Sequence, residues 1–85
     1  MNTQEAIAKK HAEVRMAKAL GQVATRLGTM AKRRLKQDGE TADVKQAARL
    51  LVTLAARMVA HVENAKLYEA FAADVPPDVL LKRLR

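Results

Sequence analysis

The sequence predicts an all-α protein: an antiparallel helical hairpin that dimerises into a four-helix bundle and carries a short C-terminal helix. Three observations lead there. Alanine fills seventeen of the 85 positions, and the only aromatic residues are Tyr68 and Phe71, a composition that favours helix over sheet. Two long stretches space their apolar residues by alternating threes and fours. A single break, Gln37-Asp38-Gly39-Glu40-Thr41, separates them.

The hairpin takes residues 1–74. Its first helix is expected from about Thr3 to Lys36. Met16, Leu20, Val23, Leu27 and Met30 form an apolar seam along it. Beside that seam runs a line of small residues, Ala17, Gly21, Ala24, Gly28 and Ala31. Two glycines inside a helix cost about 1 kcal/mol each relative to alanine, so Gly21 and Gly28 read as points where a neighbouring helix comes close. The loop is expected over 37–42, where Gly39 can take the left-handed conformation just past a helix end. Thr41 or Asp43 can cap the next helix, and Asp43 with Gln46 has capping-box spacing.

The second helix is expected from about Asp43 to Ala73 and is apolar over about 200° of its circumference, more than one partner helix covers. A pair of helices about 50 Å long encloses no core of its own, so self-association is expected. The simplest closed form is a twofold dimer with the second helices central; a trimer or a hetero-oligomer satisfies the same pattern. The expected contact residues are Leu50, Leu51, Leu54, Met58, His61, Val62 and Tyr68. Residues 75–85 form a separate segment. Val75-Pro76-Pro77 stops the second helix, and Asp78 to Arg85 reads as a short basic amphipathic helix that docks back on the bundle.

The charge is local. The chain has sixteen Lys plus Arg against nine Asp plus Glu, a net charge of +7. Residues 1–36 hold nine basic residues and two acids, residues 37–74 four basic and six acids, and residues 75–85 three basic and one acid. At 100° per residue Arg15, Lys18, Arg26, Lys32, Arg33 and Lys36 fall within an arc of about 120°, away from the large apolar seam. Gln22, Thr25 and Thr29 share that arc, and no acid does. A solvated helix ordinarily mixes the two signs, because opposite charges one turn apart stabilise it and like charges do not. A one-sign stripe about 32 Å long, with neutral polar residues between the charges, suits a phosphate backbone.

Catalysis is not expected. There is no serine and no cysteine, the two histidines, His11 and His61, stand fifty positions apart, and no phosphate-binding glycine motif occurs. His61 reads as a satisfied polar residue at the edge of the apolar arc rather than a metal ligand. No cofactor, metal or small-molecule substrate is expected. The opening Met1-Asn2-Thr3-Gln4-Glu5 has no apolar signal core, and the longest apolar run, Leu50–Val62, is broken by Thr53, Arg57 and His61. The expectation is therefore a cytoplasmic protein without a membrane partner, with an alanine and arginine usage that suits a GC-rich bacterial genome, plasmid or phage. Its expected function is that of a small regulator contacting the backbone of structured RNA or duplex DNA through Arg15, Lys18, Gln22, Thr25, Arg26, Thr29, Lys32, Arg33 and Lys36. Scarce aromatics argue against base stacking on single strands. The alternative is a protein-interaction module, an inhibitor, adaptor or small subunit. It would bind an acidic protein through the stripe, or another partner through the apolar face of the second helix.

Overall fold

A computed structural model describes residues 1–73; the Pro-Pro turn and the C-terminal helix expected over 75–85 lie outside the described residues. The chain is two helices, α1 (Thr3–Asp38) and α2 (Ala42–Ala72), packed against each other along their length as a hairpin. No strand occurs among the described residues.

The ends of both helices follow from local chemistry. Asn2 caps α1: its Oδ1 accepts the Glu5 N–H at 2.8 Å, and its Nδ2 donates to Glu5 Oε1 at 3.3 Å, so cap and third-position residue satisfy each other. Gly39 ends α1, its N–H donating to the Leu35 carbonyl at 3.0 Å. It does so at φ 76° and ψ −162°, a region open essentially to glycine alone and distinct from the ordinary left-handed helical cap. Thr41 then caps α2, its hydroxyl accepting the Val44 N–H at 3.3 Å. Asp43 sits in the first turn instead, where its charge favours the positive end of the helix and meets Arg34 at 3.3 Å.

The contact seam differs from the one expected on α1. The line facing α2 is Ala6, Lys10, Glu13, Ala17, Leu20, Ala24, Leu27 and Ala31, all buried or half-buried. Met16, Val23 and Met30, expected on the seam, stand 52%, 52% and 53% exposed on its flank. Small residues on α1 won because they leave room for the larger side chains that α2 brings to the contact. Gly21 shows the closeness: a Cβ there would lie 3.2 Å from the Met58 Cε. Gly28 does not, since a Cβ there would meet nothing within 4 Å. Its expected role in packing against α2 is therefore not what the hairpin shows.

On α2 the facing line is Val44, Ala47, Leu51, Leu54, Met58, His61, Ala65, Tyr68 and Ala72, spaced by threes and fours throughout. Only Ala6, Leu54, Ala65 and Ala70 are buried outright among the described residues. The larger part of the wide apolar arc stays open, with Leu50, Val52, Val59, Val62 and Phe71 between 44% and 72% exposed.

The seam also carries polar ties. His61 Nδ1 hydrogen-bonds Glu13 Oε2 across the hairpin, with both side chains about one-fifth exposed. Next to it Lys10 meets Glu69 at 3.7 Å, and the Lys9 ammonium lies 5.8 Å from the centre of the Tyr68 ring. His61 is thus satisfied, as expected, but by a carboxylate 48 residues away.

Candidate nucleic-acid interface

The seam on α1 repeats every seven residues, and this repeat fixes where the remaining side chains go. Arg15, Lys18, Gln22, Thr25, Arg26, Thr29, Lys32, Arg33 and Lys36 occupy the three positions of each heptad furthest from the seam. All nine are exposed. They form one face of one unbroken helix, so the spacing of the charges is set by a rise of about 1.5 Å per residue.

Cross-helix charge pairing spares this face. Lys10 meets Glu69, Arg34 meets Asp43 and Glu13 meets His61, whereas none of Arg15, Lys18, Arg26, Lys32, Arg33 and Lys36 lies within 4 Å of an acidic group among the described residues. Six cations on one exposed surface repel one another and hold a counter-anion cloud whose release favours a polyanion.

The two threonines contribute differently from expectation. The Thr25 hydroxyl donates to the Gly21 carbonyl at 2.9 Å, and the Thr29 hydroxyl to the Thr25 carbonyl at 3.0 Å. Their protons are used inside the helix, which leaves lone pairs facing outward and no donor for a phosphate oxygen. The neutral donor on the stripe is Gln22. Beside it, Lys18, Gln22, Thr25 and Arg26 rim a shallow concavity that Gly21 opens down to Met58.

No family model matches the chain, and neither does a curated protein or a solved structure. Among the described residues no group of three or more His, Asp or Glu side chains could hold a metal ion, and no helix is long and apolar enough to cross a membrane.

The residues expected to bind a second copy fall into two sets. Leu51, Leu54, Met58, His61 and Tyr68 face α1 and are engaged within the hairpin, while Leu50 and Val62 remain exposed on opposite edges of α2. Sequence reasoning missed Lys10 and Glu13 as seam residues because they are charged. The signal was present in the 3-4 spacing Ala6, Lys10, Glu13, Ala17, which carries the contact line straight through them.

Proposed function

We propose that this protein is a small basic nucleic-acid-binding regulator that grips the phosphate backbone of structured RNA or duplex DNA. It works without catalysis, as a homodimer in which two hairpins form a four-helix bundle. The observation that carries the reading is the back of α1, where Arg15, Lys18, Arg26, Lys32, Arg33 and Lys36 are exposed and unmatched by any acid among the described residues. Arginine supplies bidentate contacts to phosphate, lysine a mobile point charge. With no aromatic side chain on α1, affinity rests on the backbone and not on stacked bases.

The test is a binding titration against duplex DNA, duplex RNA and a stem-loop RNA over a salt series. Six phosphate contacts predict a slope of log K against log salt of about −5 on duplex DNA. The Arg26→Ala/Arg33→Ala variant should lower affinity and flatten the slope by about 2, with helicity intact because neither side chain is tied to another and alanine is the better helix former. A variant that binds as tightly as the parent, with the same slope, removes the stripe as the site.

A second reading, a protein-interaction module, is favoured by the half-exposed Met16, Val23 and Met30, since flexible methionine suits an adaptable protein surface. Its signature is a stoichiometric protein complex that survives nuclease treatment.

A further inference from the structure

The cations of the basic face frame a neutral centre. The line on α1 that points straight away from the seam is Arg15, Gln22, Thr29 and Lys36, seven residues apart. It is charged at both ends and neutral in the middle. One flank of that line carries Lys18, Thr25 and Lys32, the other Arg26 and Arg33. Two exposed hydrogen-bonding side chains, Gln22 and Thr29, thus have cations beside them on both flanks and beyond them at both ends. No acid lies on this face, and the side of α1 that meets α2 is the opposite one.

Shape and charge both match this layout to the major groove of B-form DNA. That groove is about 12 Å wide and about 8.5 Å deep and admits an α-helix, whose diameter with side chains is about 10–12 Å. A helix seated there turns its outermost line to the base edges and its flanks to the two phosphate strands. The groove winds around the duplex while a helix runs nearly straight. Only the middle of the helix therefore meets the floor, and its ends run out to the phosphates. Gln22 and Thr29 occupy the middle, and Arg15 and Lys36 stand about 32 Å apart at the ends. Duplex RNA offers no such seat, because the major groove of its A-form helix is too deep and narrow for side chains to read.

We infer that α1 docks in the major groove of duplex DNA, where Gln22 and Thr29 contact base edges and Gln22 selects adenine. The inference rests on the phosphate-binding reading of the same face and adds to it the groove and a base preference. Gln22 carries an amide donor and acceptor side by side, the pair that meets N7 and N6 of adenine. The Thr29 hydroxyl donates its proton to the Thr25 carbonyl, so toward a ligand it only accepts. In the major groove the base donors are the amino groups of adenine and cytosine. Every base pair presents one of these, so Thr29 adds affinity and Gln22 sets the preference. The two side chains are about 10.5 Å apart along the helix, about three base-pair steps of about 3.4 Å.

The probe is one mixed-sequence duplex two helical turns long, made as DNA and as RNA and titrated by fluorescence anisotropy at physiological salt. The DNA should bind at least about tenfold more tightly than the RNA. Gln22→Ala should lose about fivefold or more on the DNA, with an unchanged salt slope because no phosphate contact is removed. Gln22 is exposed and alanine favours helix, so this variant keeps the fold. Replacing every adenine of the DNA by 7-deazaadenine removes N7 from the major groove and leaves every phosphate in place. That replacement should weaken the parent and have no effect on Gln22→Ala. RNA bound as tightly as DNA, or a parent and variant equally affected by the 7-deaza replacement, overturns the groove placement. If that happens while Arg26→Ala/Arg33→Ala still weakens binding to both duplexes, the phosphate reading stands without the groove. If the double variant binds undiminished, both fall.

Discussion

Leu50 and Leu54 are the same side chain, one helical turn apart on α2, and they separate seam from edge. Leu54 is 7% exposed against α1, whereas Leu50 is 47% exposed. Truncating leucine to alanine removes three carbons, worth about 0.8 kcal/mol each when fully buried, or about 2.4 kcal/mol. Scaled by burial, Leu54→Ala costs about 2.2 kcal/mol before any cavity term, and Leu50→Ala about 1.3 kcal/mol. A cavity left at Leu54 widens the gap. Chains of this size hold only about 4–13 kcal/mol of stability, so the first change is large. Urea unfolding followed by circular dichroism should show the Leu54→Ala midpoint falling by about 1.5–2 M and the Leu50→Ala midpoint by about half as much. Equal losses, or a larger loss at Leu50, would refute the facing assigned to α2, because the two side chains stand only about 40° apart and such a result would mean that α2 is rotated toward Leu50.

Two further changes test the cap and the polar tie. Gly39→Ala should cost about 1–3 kcal/mol, seen as a lower thermal midpoint, because φ 76° with ψ −162° is closed to a side chain; an unchanged midpoint would mean the turn relaxes into another conformation at no cost. At the seam, Glu13→Leu or His61→Leu alone strands a half-buried polar partner and should cost about 1–3 kcal/mol, whereas the double replacement should restore parental stability or exceed it. Additive single losses in that cycle would show that the two side chains are not coupled.

The fold was legible in outline because its punctuation is chemical: Gly39 and Thr41, with one residue between them, dictate where one helix stops and the next starts, and the structure moves the expected helix boundaries by two residues or fewer. Which stripe of α1 faces inward was not legible from hydrophobicity. Met16, Val23 and Met30 outweigh alanine on any scale of water aversion, yet the contact belongs to the line that leaves room for the larger side chains of α2. Polar residues on a seam are likewise invisible to a search for apolar periodicity, so Glu13 and His61 read as unrelated. Folding the chain back about Gly39 brings position 13 within about one turn of position 61, which is the step that would have paired them. The basic stripe was the easiest feature to find, since a helix that packs along one line must show its far side to solvent. The use of the Thr25 and Thr29 protons by the backbone is a rotamer choice that no sequence pattern encodes.

The placement of the polar ties has a mechanical consequence. Lys9 with Tyr68, Lys10 with Glu69 and Glu13 with His61 all gather at the end of the hairpin remote from the turn, while Gly39, Thr41 and the Arg34–Asp43 pair close the other. Between these two clasps the helices meet only through alkyl groups and glycine. The segment from Arg15 to Lys36 lies along that span, held at both ends like a ruler in a vice. On the proposed function, an anionic partner meets charges already spaced by one continuous helix, so little of the binding cost goes to ordering backbone.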